Sequence, residues 1–287
     1  MANNIALHEV FLDQLDGIYA RESLTAILDT GMIDSKTQTG KKFMIDKMEL
    51  SGLADYDRNT GYVNGDVTIT QEEVDPDYDR GRKFSVDTMD DLETGYIAFG
   101  KLGAEFERTK VIPEIDAYRF SKYAQSAGTT KQATITADNV MGEIAEAQAE
   151  LINAEVPETG NILFVNASVY GFLKQKAGNR FGTWTDTRIN TNIESFDNMP
   201  IVVVPQKRFN DDVTLTANGY TSDGNNINFM IVNKGAVIQY NKHRASNVIS
   251  PEDNQNADAY IMKFRDYALA HVYENKTKGI YVNTAEA

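Results

Sequence analysis

The stretch from Arg82 to Ala124 constrains the fold of this chain most, because it predicts a helix that is apolar on two sides. At about 100° per residue, two apolar stripes run along the segment more than a third of a turn apart. One consists of Val111, Ile115 and Tyr118, and the other of Ala117, Phe120 and Ala124. A helix with one apolar stripe lies on a single core, whereas a helix with two is packed between layers. We therefore expect a long helix that is buried on both sides.

Pro113 indicates where this helix begins. Proline is favoured in the first turn of a helix and kinks a helix when it lies further inside, so both arrangements are open. Glu114 and Asp116 suit the positive N-terminal end of a helix dipole, and Lys122 suits the other end. We expect the main helix to begin at or just before Pro113, with a shorter helical piece, interrupted by glycine, upstream.

Residues 41–83 predict a β-hairpin with little core of its own. Apolar and polar residues alternate over 63–69, which is typical of a half-buried strand. A turn cluster at 57–61 separates this strand from the apolar run at 43–53. Only 14 of the 43 residues are apolar, with Ala and Tyr counted. A hairpin that cannot bury itself usually finds burial on a partner.

The remainder of the chain alternates between helical and strand patterns. Apolar residues at helical spacing over 7–18 predict a first helix, packed on its own domain. The later predicted elements are a helix over 140–152 capped by Thr136 or Asp138, a strand at 162–165, a helix at 168–176, a strand at 201–204, a hairpin of 229–232 with 236–240, and a long strand from 260 to about 273. This order indicates a mixed α/β unit of roughly 120 residues.

Composition excludes several classes of protein. The formal net charge of −14 disfavours tight sequence-independent binding of nucleic acid, although such a chain could still enclose DNA. The absence of cysteine excludes disulfides, thiolate metal sites and cysteine nucleophiles, and indicates a reducing cytoplasm as the place of assembly. We expect no signal peptide, because the N-terminus lacks a basic leader and an apolar core. No apolar stretch approaches the roughly 18 residues that a membrane span needs.

Motifs for catalysis or for metal binding are not found. His8-Glu9 begins like a zinc-protease motif, but Leu12 stands where the second histidine is required. Acidic residues at 55–59 and 75–79 alternate as in a calcium loop, yet both lack the required glycine and the bidentate glutamate, so we interpret them as solvated turns. His271 lies in a strand pattern, which favours a structural role over that of a base. We expect no cofactor and no metal.

A block of alternating charge borders the predicted hairpin. Acidic residues at 72–79 are followed by Arg80, Arg82 and Lys83, and then by Asp87, Asp90 and Asp91. Such residues often form solvated local salt bridges that contribute about 0–1 kcal/mol each. Because the block adjoins a hairpin with little core, we predict instead that these six residues contact neighbouring subunits and fix their register.

Four segments together carry a resemblance to a known family. They are FSVDTMDDLET from Phe84, VIPEIDAYRFSKYA from Val111, LFVNASVYGFLK from Leu163 and VVVPQKRF from Val202. In order and spacing, the chain from about Phe43 to the C-terminus resembles the major capsid proteins of tailed bacteriophages. The resemblance implies an α+β Hong Kong 97-like capsid fold, in which the long helix is the spine of the shell subunit.

The resemblance also implies a division of the chain into parts. Residues 1–40 would be an N-terminal arm lying partly on neighbours, which replaces the expectation of a self-packed first helix, and 41–84 an extended hairpin loop that reaches over an adjacent subunit. Residues 85–130 and 241–287 would form a peripheral domain with the spine helix and a long-stranded sheet. Residues 131–240 would form a mixed α/β axial domain.

The function that the resemblance implies is structural. Copies of the chain would assemble into hexamers and pentamers of an icosahedral shell around double-stranded DNA, in the host cytoplasm and without a membrane. A separate scaffolding protein is expected, because the chain begins at the arm; a portal and, as an optional partner, a decoration protein would complete the virion. Two alternatives stay open: an encapsulin-type shell that encloses enzymes, and a cytoplasmic enzyme that uses Glu114 and Asp116, or Asp90, Asp91 and Glu93.

Overall fold

The computed structural model describes residues 22–29, 43–93, 102–176 and 194–286. The periodic segment at 7–18, His8 and most of the predicted N-terminal arm lie outside these ranges. Within them, no helix is both long enough and apolar enough to cross a bilayer.

Thirteen strands and five α-helices form the described part of the protein. The strands are β1 Phe43–Leu50, β2 Val67–Val74, β3 Tyr78–Asp87, β4 Thr129–Gln132, β5 Asn161–Asn166, β6 Ser195–Phe196, β7 Met199–Val204, β8 Val213–Thr216, β9 Gly219–Ser222, β10 Ile227–Asn233, β11 Val237–Ile249, β12 Ala259–Val272 and β13 Ile280–Thr284. The helices are α1 Thr88–Glu93, α2 Leu102–Phe106, α3 Ile112–Gln125, α4 Val140–Asn153 and α5 Ala167–Lys176.

A mixed six-stranded sheet organises one half of the molecule, with strand order β4-β13-β10-β5-β7-β6. Its central strands β5 and β10 are buried along their whole length. Because side chains alternate across a strand, Leu163 and Val165 face α4 and α5 on one side of the sheet, whereas Ile162 and Phe164 face α3 on the other. The predicted strands and helices of this region are confirmed, but the N-cap residue of α4 is Asn139 and not Thr136 or Asp138.

An antiparallel three-stranded sheet, β11-β12-β3, forms the other half. The 14-residue β12 confirms the predicted long strand, and it pairs with both neighbours almost from end to end. The prediction that 229–232 and 236–240 form a hairpin is wrong. β10 pairs with β5 and β13, whereas β11 leaves for the second sheet. The short Asn233–Gly235 turn, in which the Gly235 amide donates to Asn233 Oδ1, redirects the chain between sheets instead of reversing it.

The helix between the two sheets is longer than predicted. Helices α2 and α3 are joined by a π-helical turn, Glu107–Val111, and together they form the spine helix, Leu102–Gln125. Pro113 lies in the first turn of α3 and α2 is the shorter piece upstream, as predicted; the difference is that the π-helical turn joins the two without a break. Proline lacks an N–H and crowds the carbonyl four residues earlier, and a wider turn just before it relieves both problems.

Both predicted stripes of the spine helix are buried, as the sequence indicated. Ile115 and Phe120 belong to the core that joins the two sheets, and Val111 packs on Met262 and Phe264 of β12. Burial extends further than predicted, because Glu114, Asp116 and Arg119 are also buried. Helix α4 likewise buries Val140, Ile144, Ala147 and Leu151, whereas Met141 and Ile152, predicted on the same face, are exposed.

The predicted domain boundaries fall inside strands. Position 84 lies in β3, position 130 in β4 and position 240 in β11. The last strand, β13, pairs with β10 and β4 of the six-stranded sheet and not with the long-stranded sheet. Residues 22–29 contact the chain's own core through Leu24 and Leu28.

Candidate assembly surface

The β1–β2 hairpin carries most of the exposed apolar surface. Its register, from Phe43 opposite Val74 to Leu50 opposite Val67, confirms the predicted hairpin. Nine of the fifteen large exposed hydrophobic side chains of the described residues lie between Met44 and Ile69. The expectation of a half-buried strand at 63–69 is therefore wrong for the isolated chain, because this segment has nothing of its own to pack on. Surface of this kind usually marks an interaction site.

The base of the hairpin is anchored to the three-stranded sheet. Phe43 and Val74 are buried against Leu269. The rings of Phe43 and Tyr240 pack edge-on, with their centroids 5.7 Å apart. Beside them Glu72 Oε1 lies 2.6 Å from His271 Nε2, which gives His271 a structural partner. Lys47 forms an ion pair with Glu274. The hairpin is thus fixed at one end.

The tip of the hairpin is exposed. Leu53 is fully exposed, and the rings of Tyr56 and Tyr62 pack only on each other, with centroids 4.9 Å apart. Asp57 Oδ1 accepts the backbone N–H groups of Asn59 and Thr60, which confirms the predicted turn and keeps the pKa of that carboxyl below its ordinary value.

The six charged residues predicted to contact neighbours are separated by the structure. Arg80 is half-buried: its Nε donates to Glu114 Oε1 at 2.8 Å and its Nη2 to the carbonyls of Thr216 and Gly219. Arg82 is exposed and donates to the carbonyl of Ala217 and to Asn218 Oδ1.

The other four members of this set lie elsewhere. Asp87 Oδ1 accepts the backbone N–H of Met89 at the start of α1, and Asp91 is buried. Lys83 and Asp90 are exposed. That all six contact other subunits therefore stays a prediction, and the exposed members, whose exposure suits it, are Arg82, Lys83, Asp87 and Asp90.

A buried cluster around Asp116 was missed by the sequence analysis. Asp116 is fully buried on the spine helix and accepts from Ser23 Oγ, the Leu24 amide and Thr25 Oγ1 at 2.7–3.0 Å. Arg208 Nη1 lies 3.2 Å from Asp116 Oδ2. Asp116 therefore fastens the segment 22–29 to the centre of the molecule. A carboxylate between two apolar stripes, at Ile115-Asp116-Ala117, was the sequence signal for burial.

Two of the carboxylates considered for catalysis, Glu114 and Asp116, are occupied by structural partners. Glu114 accepts from Arg80 and from Tyr78 Oη at 3.2 Å, and Asp116 is enclosed as described. The helix-dipole explanation of both residues is also wrong, because the spine helix begins at Leu102, twelve residues before Glu114. Asp77 pairs with Lys122 and Asp79 with Arg265, each at 2.6 Å, and Asp79 lies in β3, so 75–79 is not a simple solvated turn. The described residues contain no cluster of three potential metal ligands.

A cleft opens between β3, the π-helical turn and the β8–β9 hairpin. Its volume is about 980 Å³. Phe84, Phe106 and Phe264 form an aromatic wall, in which Phe106 meets the other two rings edge-on at 4.8 and 5.8 Å. At the base of the cleft lies Asp266, fully buried, and burial raises its pKa above the ordinary value.

Comparison with solved structures identifies the fold. The chain matches a structure from Mycobacterium phage Che8 at 17% identity and a TM-score of 0.72, covering 98% of both chains. It matches the capsid structure of the cyanophage P-SCSP1u at 12% identity and a TM-score of 0.77, covering 98% of this chain and 93% of the other. No protein-family model and no curated protein matches the sequence. The chain has the α+β Hong Kong 97-like capsid fold.

One further match has a lower TM-score. A virus-like particle from Pyrococcus furiosus matches at 13% identity and a TM-score of 0.55, over 91% of this chain and 92% of the other. Its TM-score is lower than those of the two phage structures above.

Proposed function

We propose that this protein is the major structural subunit of an icosahedral phage capsid. Copies of the chain assemble into hexamers and pentamers that enclose double-stranded DNA. The observation that supports this most is the anchored hairpin with an exposed apolar tip, in a chain that shares its fold with a cyanophage capsid structure over 98% of its length. The protein is not an enzyme under this proposal, and its carboxylates serve structure.

The proposed mechanism is geometric. The two sheets and the spine helix form a rigid body, while the hairpin and the segment before Glu22 reach neighbouring subunits. Residues 131–240, with β13, act as the axial part, and the three-stranded sheet with the spine helix acts as the peripheral part. Many modest contacts, each repeated around the shell, withstand the internal pressure of DNA without one strong bond.

Partners and location follow from the same proposal. The subunit assembles in the host cytoplasm with a separate scaffolding protein and a portal, accepts a decoration protein in the finished virion, and does not contact a membrane. The net charge of −14 supports enclosure of DNA without tight binding, because a negatively charged protein repels the phosphates of DNA.

Electron microscopy tests the proposal. The protein is expressed alone and with a candidate scaffolding protein, and negatively stained samples are examined for closed shells of uniform diameter. A discrete species of about 32 kDa under all conditions, in place of shells, would contradict a capsid function. DNA protected from nuclease inside particles from infected cells is expected, whereas enclosed enzymes would favour the encapsulin alternative.

A further inference from the structure

Asparagine is followed by glycine at two places in the sequence, and the structure gives the two places contrasting surroundings. They are Asn64-Gly65, in the segment that joins β1 and β2, and Asn218-Gly219, in the turn between β8 and β9. In such a pair the next backbone nitrogen can attack the asparagine side chain with little hindrance, because glycine has no Cβ and restricts the backbone least. Both asparagines are exposed, so exposure alone does not distinguish them.

Hydrogen bonds hold the Asn218 pair in place. Asn218 Oδ1 accepts from Arg82 Nη2 at 3.3 Å. Gly219 is paired with Thr216 across the turn, and its carbonyl accepts from Thr216 Oγ1 at 3.1 Å. For the Gly219 nitrogen to reach the side chain of Asn218, the carboxamide would have to leave Arg82 and the backbone would have to leave its strand partner. That rearrangement costs the hydrogen bonds that it breaks.

The Asn64 pair is not held in this way. Residues 62–66 lie outside any strand, and within the described part of the chain neither the Asn64 side chain nor the Gly65 amide forms a hydrogen bond. Pairing resumes at Asp66, whose N–H donates to Ser51 Oγ at 2.8 Å and whose carbonyl accepts the Ser51 N–H. Since local order follows from contacts of this kind, the backbone at 64–65 can turn until its nitrogen faces the side-chain carbon.

The space around Gly65 is open as well. Apart from its chain neighbours, a Cβ added to Gly65 would meet only the side chain of Ser51, at 3.5 Å, which is an ordinary contact. The φ angle of Gly65 is not in the left-handed region. Nothing in the described chain therefore blocks the approach of the nitrogen, and an alanine at position 65 would fit.

We propose that Asn64 is a site of spontaneous modification, at which its carboxamide becomes a carboxylate through a cyclic imide with Gly65. The Gly65 nitrogen attacks Asn64 Cγ, so that a C–N bond forms and the Cγ–Nδ2 bond breaks. Ammonia leaves with the proton that the attacking nitrogen gives up. Water then opens the imide at either carbonyl and gives aspartate or isoaspartate. The reaction consumes water, releases ammonia and changes no oxidation state.

The product changes both the charge and the main chain of the segment 51–66. Its new carboxylate is ionised at neutral pH and joins three carboxylates and one cation. These are Asp55, Asp57 and Asp66, with Arg58. In isoaspartate the main chain runs through the former side chain, which lengthens it by a carbon atom. The inference does not rest on the proposed function, since the reaction needs only the folded subunit and water.

Incubation of the folded, dissociated subunit at mildly alkaline pH tests the proposal. Samples taken over time are digested briefly at acidic pH, which suppresses reaction during digestion, and are mapped by mass spectrometry. The peptide that contains Asn64 is expected to gain about 1 Da and to become a substrate of an isoaspartate methyltransferase. The peptide that contains Asn218 should react at least about tenfold more slowly.

Two controls assign this difference to the structure. In guanidinium chloride the two asparagines should react at similar rates, because unfolding removes the hydrogen bonds of Asn218 and leaves the two pairs chemically alike. In the folded chain, Gly65→Ala should slow the reaction at Asn64 at least about tenfold, because the methyl group hinders the nitrogen, and should leave that at Asn218 unchanged. The circular dichroism of this variant should match that of the unmodified chain.

Three results would overturn the proposal. One is reaction at Asn218 as fast as at Asn64 in the folded chain. Another is an Asn64 that stays unchanged over the time in which both sites react in guanidinium chloride. The third is a normally folded Gly65→Ala variant that reacts at Asn64 as fast as the unmodified chain. None of them bears on shell formation, so the proposed function would stand.

Discussion

At the scale of single residues, Asp116 holds the segment 22–29 on the body of the molecule. Its fully buried carboxylate accepts four hydrogen bonds from backbone and hydroxyl donors of that segment, three at Oδ1 and one at Oδ2, and Arg208 balances its charge. Removing one partner of a buried pair leaves the other charge uncompensated. We expect Asp116→Ala to lower the free energy of unfolding of the dissociated subunit by about 3–5 kcal/mol, measured by urea denaturation.

A second readout localises that effect. Limited proteolysis of Asp116→Ala should cut within 22–29 much faster than in the unmodified chain, because the segment loses its attachment. Asp138→Ala removes an exposed ion pair to Lys176 and is the control, with unfolding and proteolysis unchanged. Equal behaviour of the two variants would show that Asp116 does not anchor the segment.

Asp266 predicts a pH dependence of stability. It lies beneath the spine helix, 3.4 Å from Arg244 and within the field of Glu107 and Arg119, and burial outweighs these neighbours and raises its pKa. A raised pKa in the folded state gives stability that is present below the ordinary aspartate value, about 3.8, and lost as pH rises through the folded value. Asp266→Asn should therefore become progressively more stable relative to the unmodified chain as pH rises above about 3.8.

The opposite sign is expected at Asp79, which provides the control. The guanidinium of Arg265, 2.6 Å away, lowers the pKa of this exposed carboxyl. Its stabilising effect is present at neutral pH and declines as pH falls through the lowered value. Asp79→Asn should thus lose stability relative to the unmodified chain as pH rises. Denaturant titrations at several pH values give the stability of each variant relative to the unmodified chain. If this difference changed with pH in the same direction for both variants, the raised pKa of Asp266 would be contradicted.

At the scale of elements, the β1–β2 hairpin is separable from the fold. Leu50 and Val67 are directly paired, so a two-residue Asn-Gly turn can join them in place of 51–66. We expect this shortened chain to keep its circular dichroism and urea midpoint, since the removed side chains are exposed, and to lose shell formation almost completely. Shells from the shortened chain, or a large drop in its midpoint, would contradict the role given to the tip.

Sequence patterns predicted elements well where periodicity is strong. The stripes of Ile115 and Phe120, the alternation in β12 and the buried run of β5 each gave the right element, because burial itself imposes those periods. Which strands pair with each other was harder to predict. Nothing in the local sequence Asn233-Lys234-Gly235 distinguishes a hairpin turn from a connection between two sheets. The length of β12, which needs a long partner, was the one signal that could have indicated β11.

The site was less predictable than the fold. Arg80 and Glu114 are 34 positions apart, and Asp116 and Arg208 are 92 apart, so no spacing rule connects them. Their pairing depends on how the spine helix lies between the sheets. The poorly buried hairpin, by contrast, was predicted from composition alone, because a ribbon with so few apolar residues cannot cover them itself.

At the scale of the whole molecule, Phe120 joins the two sheets into one core. Its ring lies 5.1 Å from both Phe164 of the six-stranded sheet and Phe209, while Ala268 and Ala270 of β12 close the same cluster from the other side. We expect Phe120→Ala to lower the free energy of unfolding by about 3–5 kcal/mol. Hydrogen exchange followed by mass spectrometry should then show lost protection in β10 and in β12 by the same amount.

That equality distinguishes one cooperative body from two hinged domains. If the sheets were independent, removal of the ring would expose β10 and leave β12 protected, because β12 keeps its ladders with β3 and β11. Tyr62→Ala, at the exposed hairpin tip, is the control and should change neither strand. Equal loss of protection would fit the proposed shell subunit, because force applied at the hairpin or at the six-stranded sheet would then pass through the spine helix to the other sheet.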